Sequence, residues 1–335
     1  MQRIGIIGLG MMGRTHYEAY SKLPNAQVAA ICDINPRRAA GDLSGTGGNV
    51  LQGGLQQLPM DRIVGLRDYR DLLKRTDIDI VDICVPTPWH AELVVAALAA
   101  GKHVVSEKPL ARTIEQGEQI AAAVAKAKTF HMPAMCLRFW PQWAWLKEAI
   151  AGGRYGAVKS ATFRRFATPL SNWYTDGKQS GGAILDLHVH DVDFVNHLFG
   201  TPRAVMARGH RDYSGEIDHV STIYLYDNVP LVTAEGGWCM SENFPFRMQF
   251  TVNFQKATAD YDLARPDTLV VYQNGKTTPI PCAKEHGYDA ELRYFVNCIE
   301  QNKRPTVVTA ADGVAALKIV DAENRSIASQ QIVRL

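Results

Sequence analysis

The stretch RIGIIGLGMMG, residues 3–13, decides the fold of the first part of the chain. An apolar run typical of a buried strand leads into three glycines, and a helical pattern follows them. In this G-x-G-x-x-G motif, Gly8 permits a tight turn, Gly10 lets the backbone approach a pyrophosphate, and Gly13 lets the helix pack against the strand. We therefore predict a dinucleotide site at the start of the helix. The residues predicted to contact the dinucleotide here are Gly8, Gly10, Met11, Met12 and Gly13.

An acidic residue ends the next predicted strand. Asp33 lies 20 residues after Gly13, where a carboxylate accepts hydrogen bonds from the adenosine ribose. Because a carboxylate also repels a 2′-phosphate, Asp33 favours NAD. Arg37 and Arg38 follow closely, and a guanidinium there would tolerate a 2′-phosphate. We assign Asp33 and Arg38 to the cofactor site, with NAD as the predicted cofactor and NADP as the alternative.

A later loop, VPTPWHAEL, fits the same site. Thr87 can cap a helix whose first residue is Pro88. Pro86, Thr87 and His90 would then lie near the carboxyl ends of the strands, where open α/β sheets bind ligands. We predict that these three residues contact the cofactor.

Strand and helix patterns alternate in the first third of the chain, whereas strands joined by short turns dominate after about residue 155. Alternation predicts parallel βαβ units with both sheet faces covered. We predict an α/β Rossmann domain with a parallel sheet over residues 1–135. Residues 136–335 are predicted to form an α+β domain with a large, mostly antiparallel open sheet, whose C-terminal helices could pack back on the first domain. The Gly- and Gln-rich residues 41–61 predict a long loop.

The composition of the 335 residues, 46% hydrophobic and 21% charged, is that of an ordinary globular protein. A net charge of +2 is too small to indicate nucleic acid or an acidic membrane surface as a partner. No stretch approaches the roughly 20 apolar residues of a membrane span. Six scattered cysteines without a CxxC pair indicate reduced thiols. These features predict a cytoplasmic protein without a signal peptide.

A second polar cluster lies in SGGAILDLHVHDVDFVNHL. If residues 184–199 form one helix, the side chains of Asp186, His190, Asp193 and His197 fall within about 60° of one another. Asp186 and His190 are then one turn apart on the same face. Asp193 and His197 are interpreted as ordinary polar or supporting residues.

The H-V-H motif in this segment also suggests a metal site. In a helix, however, His188 points about 160° away from His190, so the two rings cannot bind one metal ion. An extended strand would bring them together, which leaves a metal site as an alternative. His188 is interpreted as packed against the other domain or its own sheet. His16, on the first predicted helix, is interpreted as structural.

One further motif, Glu107-Lys108-Pro109, follows a predicted strand. Together with the glycine motif and GGAILDLHVHDVDF, it resembles the Gfo/Idh/MocA oxidoreductase family over essentially the whole chain. The resemblance implies oxidation or reduction of sugars and polyols with NAD(P). It implies that Lys108 binds the reacting oxygen, that His190 exchanges its proton, and that Asp186 assists by orientation and charge. Glu107 would lie near the nicotinamide ribose.

This sequence departs from the family pattern in places that concern the substrate. Ala183 replaces the third glycine of the usual G-G-G, and Cys136 stands where asparagine is common. Arg138 follows shortly after and is assigned to the cofactor site. The predicted substrate-binding residues are Lys108, Arg164, Trp173, Tyr174, Asp186 and His190. Arg138 and Asp176 are further candidates for holding sugar hydroxyls. Trp140 and Trp143 could stack on a pyranose ring, with buried packing as the alternative for at least one of them.

The resulting hypothesis is an NAD(P)-dependent dehydrogenase or reductase of a sugar, an inositol-like polyol or a sugar derivative, with no metal. The proposed catalytic residues are Lys108, Asp186 and His190. A face of the second sheet could pair subunits, which predicts a homodimer or homotetramer. Two alternatives stay open: a metal-dependent hydrolase built on His188 and His190, and an NAD(H)-binding sensor without turnover.

Overall fold

The computed structural model describes residues 1–46 and 55–335. The strands are β1 (Gln2–Ile7), β2 (Ala26–Cys32), β3 (Val64–Leu66), β4 (Ile80–Ile83), β5 (His103–Glu107), β6 (His131–Ala134), β7 (Val158–Phe166), β8 (Ala204–His210), β9 (His219–Leu225), β10 (Leu231–Gly237), β11 (Arg247–Phe254), β12 (Thr258–Asp262), β13 (Leu269–Gln273), β14 (Lys276–Pro279) and β15 (Val333–Arg334). The helices are α1 (Met11–Tyr20), α2 (Pro36–Ala39), α3 (Tyr69–Leu73), α4 (His90–Ala99), α5 (Ile114–Lys126), α6 (Pro141–Ala151), α7 (Gly177–Ser180), α8 (Gly182–Asp186), α9 (Val189–Phe199), α10 (Gly287–Glu300) and α11 (Ala310–Ser329).

Contacts within the chain define two compact units. Unit 1 comprises Met1–Cys136 and His286–Val314, and unit 2 comprises Leu137–Glu285 and Ala315–Leu335. Helix α10 and the start of α11 therefore lie in unit 1 although they follow the second sheet in sequence. The domain boundary between residues 135 and 136 stays a prediction.

Unit 1 contains a parallel sheet in the order β3-β2-β1-β4-β5-β6. Its central strands are almost entirely buried, as β-branched runs between two helical layers require. The strand order reverses between β1 and β4, and a ligand crevice opens at the carboxyl ends of strands at such a point. The predicted parallel Rossmann sheet is confirmed.

Unit 2 contains a nine-stranded sheet in the order β14-β13-β12-β11-β7-β10-β9-β8-β15. Its described pairs are antiparallel except for β7 with β10, which confirms the predicted, mostly antiparallel sheet. Asn274 and Gly275 form the turn that joins β13 to β14, and both turn residues have positive φ. The fully buried ring of Trp143 packs on Phe163, Phe194 and Phe250.

The helix predicted over residues 184–199 is two helices. Helix α8 ends at Asp186 and α9 begins at Val189. The carbonyl of Ala183 accepts hydrogen bonds from the N–H groups of both Leu187 and His188, so the backbone widens for one turn. The prediction of one continuous helix was therefore wrong at residues 187–188.

Two further expectations concern loops and thiols. Of the loop predicted over residues 41–61, residues 47–54 lie outside the described residues; on either side of them, Asp42 and Gln57 form an isolated bridge. All six cysteines lie in the described part of the chain, and none of them forms a disulfide. Among the described residues, no helix combines the length and apolar character that crossing a membrane requires.

Candidate active site

The glycine motif forms the turn between β1 and α1 in unit 1. Gly8 has φ +92°, and a Cβ atom there would collide with the carbonyl of Cys84. A Cβ atom at Gly13 would collide with the carbonyl oxygen of Gly8, so helix and turn are in close contact. At Gly10 a Cβ atom would meet nothing within 4 Å. The open space beside Gly10 and the N–H groups at the start of α1, where Met11 and Met12 lie, fit a pyrophosphate.

Asp33 directly follows β2 and is 7% exposed. Its carboxylate accepts hydrogen bonds from the N–H groups of Leu9 (2.8 Å) and Asn35 (2.8 Å). The Arg38 guanidinium lies 3.7 Å from Asp33 Oδ2. Asp33 is thus fixed next to the glycine turn, at the position where a ribose-binding carboxylate is needed.

The loop after β4 differs in detail from the prediction. Thr87 is the first residue of a short 3₁₀ turn, and its side chain does not cap it; Pro86 occupies the cap position. His90 is buried, and its ring nitrogens lie 2.8 Å from the carbonyl oxygen of Pro109 and 2.9 Å from that of Val85. Both ring nitrogens therefore face backbone carbonyls, and His90 links the end of β4 to the E-K-P segment. Burial lowers the pKa of His90. The hydrogen bonds to the two carbonyls act in the opposite direction but do not outweigh burial.

The E-K-P segment begins with the last residue of β5, Glu107, at the same edge of the sheet as the glycine turn. Glu107 is buried, and its Oε2 accepts a hydrogen bond from the N–H of Lys108 (3.0 Å). Its Oε1 lies 3.1 Å from Nε2 of His16 on α1. Burial would raise the pKa of Glu107, but His16 and Lys108 outweigh it and lower that pKa. Lys108 is half-buried.

His16 was expected to be structural, and its partners were missed in the sequence. Its Nδ1 lies 2.8 Å from Asp82 Oδ2, and all three side chains of the His16, Asp82 and Glu107 group are buried. The sequence did signal that Asp82 needs a partner, because Asp82 interrupts an apolar strand and a buried carboxylate requires one, but it did not identify His16 as that partner.

Unit 2 carries the D-x-x-x-H motif. Asp186 is the last residue of α8 and is buried, whereas His190 lies in the first turn of α9 and is half-buried. His188, between them, is fully buried: its Nε2 lies 3.3 Å from Glu323 Oε1 and 3.3 Å from the hydroxyl of Tyr224. The expectation that His188 packs against its own sheet is confirmed by its contact with Tyr224 on β9.

The acidic residues of α9 are held by buried arginines. Asp193 forms a bidentate pair with Arg138 at 2.6 and 2.8 Å, and both side chains are almost fully buried. Asp191 pairs with Arg165 of β7 at 2.8 Å. Arg138 is thus bound to α9 within unit 2, and its assignment to the cofactor stays a prediction.

The predicted substrate residues do not all lie on one side of the second sheet. Arg165 faces α9, so its neighbour Arg164 lies on the opposite face, where it is exposed and 3.9 Å from Glu235. The structure therefore does not bring Arg164 together with α8 and α9. Trp173 and Tyr174 stack on each other at 4.2 Å, next to α7, whose first turn is capped by Asp176. Trp140 and Trp143 are buried in the core.

Two groups among the described residues have the composition of a metal site. They are His16 with Asp82 and Cys84, and His210 with Asp212 and Cys239. Neither group contains His188 or His190.

Comparison with known proteins agrees with this geometry. Residues 2–134 match an oxidoreductase family with an NAD-binding Rossmann fold, and residues 143–260 match the GFO/IDH/MocA C-terminal domain. The fold and the cofactor turn thus define an NAD-binding oxidoreductase. The chain belongs to the Gfo/Idh/MocA oxidoreductase family.

Each of three similar proteins covers more than half of this chain. Inositol 2-dehydrogenase of Rhizobium meliloti (strain 1021) is 26% identical over 99% of this chain and 99% of its own length. Levoglucosan dehydrogenase of Pseudarthrobacter phenanthrenivorans is 32% identical over 61% of this chain and 53% of its own length. The solved structure of a levoglucosan dehydrogenase complex with NADH and levoglucosan has a TM-score of 0.84 and 25% identity, covering 99% of both chains.

Proposed function

We propose that the protein is an NAD-dependent dehydrogenase of a cyclic polyol or sugar derivative, in which Lys108, Asp186 and His190 handle the hydroxyl proton. One observation carries the proposal. Lys108 follows the carboxyl end of β5, at the same sheet edge as the glycine turn that fits a pyrophosphate. A lysine at that edge is suited to bind the oxygen of a substrate whose carbon faces the cofactor.

The chemistry requires that one C–H and one O–H bond of the carbinol break. A bound nicotinamide supplies the acceptor for the hydride. The Lys108 ammonium would donate a hydrogen bond to the substrate oxygen and stabilise the negative charge that develops there. The His190 imidazole would accept the hydroxyl proton, and Asp186 would orient that ring and stabilise its positive charge. In the reverse direction, His190 would return the proton to the carbonyl oxygen.

The proposed cofactor preference rests on Asp33. Its fixed carboxylate would accept hydrogen bonds from the 2′- and 3′-hydroxyls of the ribose and repel a 2′-phosphate. Arg38 lies close enough to Asp33 to offset part of this repulsion. We expect NAD to be preferred and NADP to be used less efficiently.

The proposed substrate class is supported by the related dehydrogenases, which are named for inositol and levoglucosan. Both compounds are rings with several secondary hydroxyls. In unit 2, the stacked pair of Trp173 and Tyr174 offers an aromatic surface of the kind that packs on such rings.

The test is a panel of inositols, levoglucosan and monosaccharides with NAD and NADP, followed by absorbance at 340 nm. For the substrate found, we expect Lys108→Ala and His190→Ala to lower kcat about 100-fold or more. Lys126→Ala, an exposed lysine at the end of α5, and His210→Ala, an exposed histidine on β8, are the matched controls and should keep wild-type kcat.

Two results would contradict the proposal. Wild-type kcat in both Lys108→Ala and His190→Ala would remove these residues from the mechanism. Tight NADH binding without turnover of any compound in the panel would favour the sensor instead.

We propose further that the protein is a homodimer or homotetramer located in the cytoplasm. Six cysteines without a disulfide among them suit a reducing compartment. The face of the second sheet that lies opposite α8 and α9 exposes apolar side chains on three neighbouring strands: Met206, Ile223 and Leu231. A second copy of the chain would remove these side chains from water.

A further inference from the structure

A buried charged network lies between α1 and the strands β4 and β5 of unit 1. His16, in the second turn of α1, is fully buried and has a carboxylate on each side of its ring. Nδ1 is 2.8 Å from Asp82 on β4, and Nε2 is 3.1 Å from Glu107 on β5. A neutral imidazole has only one N–H, so it could donate to one of these carboxylates but not to both. Two flanking carboxylates therefore favour the imidazolium form.

The pKa directions of the titratable groups around the ring are consistent with a positively charged His16. Burial alone would lower the pKa of His16, but Asp82 and Cys84 hold it well above its ordinary value. Burial and Asp82 raise the pKa of the Cys84 thiol, and burial raises that of the Tyr20 hydroxyl, so both stay neutral. Burial also raises the pKa of Glu291 on α10 well above its ordinary value. The network thus contains one cation, His16, between two anions, Asp82 and Glu107.

The same network reaches the E-K-P segment. The second oxygen of Glu107 accepts the backbone N–H of Lys108 at 3.0 Å, so an ionised and fixed Glu107 also fixes the peptide that carries Lys108. On the other side of Lys108, the carbonyl of Pro109 is bound by His90. His16 lies on α1, whose first turn is the predicted phosphate-binding site. One ring therefore connects the helix of the cofactor turn to the backbone of the lysine.

We propose that His16 is a positioning residue, whose imidazolium ring fixes the Glu107 carboxylate and thereby holds Lys108 in place relative to the cofactor turn. This inference rests on the proposed function, because it assigns His16 a role through Lys108. Without the ring, Glu107 would lose one of its two cationic neighbours and take up a proton more readily in its buried position. It would then hold the Lys108 peptide and balance the lysine charge less well.

The test is His16→Gln in the full-length protein, with kcat, KM and the pH profile of kcat/KM measured on the substrate that the panel identifies. Glutamine can donate to one carboxylate but carries no charge. We expect kcat to fall about 10- to 100-fold, with a smaller change in KM. We also expect the acidic limb of the pH profile to move to higher pH, because Glu107 becomes easier to protonate. Loss of structure alone would lower the amount of active enzyme without moving that limb.

Two comparisons make the result specific. His131→Gln removes another buried histidine of unit 1, which lies on β6, is bonded to Ser106 and has a pKa that burial lowers to about 3; this variant should keep the wild-type acidic limb. The double variant His16→Gln, Glu107→Gln should lose no more activity than Glu107→Gln alone, since the two residues act as a unit. If His16→Gln does not fold, Asp82→Asn replaces it, because without Asp82 the ring loses its proton more easily.

The outcomes separate the two proposals. A wild-type protein that turns over no sugar or polyol contradicts the proposed function itself. An active wild type whose His16→Gln variant keeps kcat and pH profile, or whose double variant shows additive losses, overturns the role of His16.

Discussion

Replacing Gly10 or Gly13 with alanine should affect different properties: NADH affinity at Gly10 and stability at Gly13. Gly10 has φ −77°, which alanine adopts, and its Cβ would point into open space. We expect Gly10→Ala to leave the free energy of unfolding within about 1 kcal/mol of wild type while weakening NADH binding at least about 10-fold, because the methyl group occupies the pyrophosphate space. Gly13→Ala should instead cost about 1–3 kcal/mol of stability through its collision with Gly8. Urea unfolding and NADH fluorescence titration distinguish the two. Equal NADH affinity in Gly10→Ala and wild type would place the pyrophosphate elsewhere.

The carboxyl group of Glu291 gives a prediction about stability and pH. It is fully buried, and neither oxygen has a hydrogen-bond partner among the described residues. Burial raises its pKa well above the ordinary value, and Glu107 and Asp82 add to this against His16. A group with a raised pKa in the folded state contributes stability below its unfolded value, near 4.5, and loses it as pH rises through the folded value.

Glu291→Gln removes this titration while keeping the size of the side chain. Relative to wild type, the variant should gain stability as pH rises from about 5 to 8, by about 1.4 kcal/mol for each pH unit below the folded pKa. Urea unfolding at several pH values measures the gain. Glu300→Gln, an exposed change on the same helix, should follow wild type. A Glu291→Gln curve parallel to wild type would mean that Glu291 is already ionised in the folded protein.

Among the elements, α9 is held to the sheet by a buried ion pair. Arg165 of β7 and Asp191 of α9 lie 2.8 Å apart and are at most 4% exposed. Removing one partner leaves an uncompensated buried charge, so Asp191→Asn should cost about 3–5 kcal/mol. The double variant Arg165→Met, Asp191→Leu should recover most of this loss, because it leaves no buried charge. Urea unfolding measures both.

The control for this pair is on α11, where Arg325 and Asp321 form an exposed ion pair at 2.9 Å. Asp321→Asn should cost less than about 1 kcal/mol. If Asp191→Asn also lowered the free energy of unfolding by less than about 1 kcal/mol, the buried ion pair would contribute little to holding α9 on the sheet.

The elements also show where sequence patterns suffice. Buried runs and the glycine motif predicted β1, α1 and β2, because strand burial and turn chemistry are local properties. The break between α8 and α9 was not predictable, since it accompanies contacts of His188 with Tyr224 and Glu323, far away in sequence. The three-residue strand β3 and the four-residue strand β6 are too short for periodicity to reveal.

In the candidate site, too, some residues were predictable from local motifs, whereas other features depend on the tertiary fold. Motifs identified Gly10, Asp33 and Lys108 because turn chemistry and resemblance act on a few adjacent residues. The pairing of His16 with Asp82 and Glu107 depends on which strands are neighbours in the sheet, so no local pattern encodes it. The sequence showed that Arg164 and Arg165 point to opposite faces of their strand, β7. It did not show which of the two faces is covered by α9.

On the scale of the whole molecule, sequence order and spatial order differ. Residues 286–314 return to unit 1 after the second sheet is complete, and their helix α10 supplies Glu291 next to the buried network of His16. Unit 1 therefore needs a segment that is synthesised after most of unit 2. Truncation at residue 135 would remove α10 and expose the side of α1 on which it packs.

The exposed face of the second sheet gives the last prediction. Met206 and Ile223 are register partners on β8 and β9, and each is more than a third exposed. If a second copy covers this face, Ile223→Lys places a charge in an apolar contact and should shift the protein toward monomers. Size-exclusion chromatography with light scattering measures the mass. Val64→Lys, an exposed apolar residue on β3 of unit 1, is the matched control and should keep the wild-type mass. A monomeric wild type, or an Ile223→Lys variant of unchanged mass, would show that this face does not join subunits.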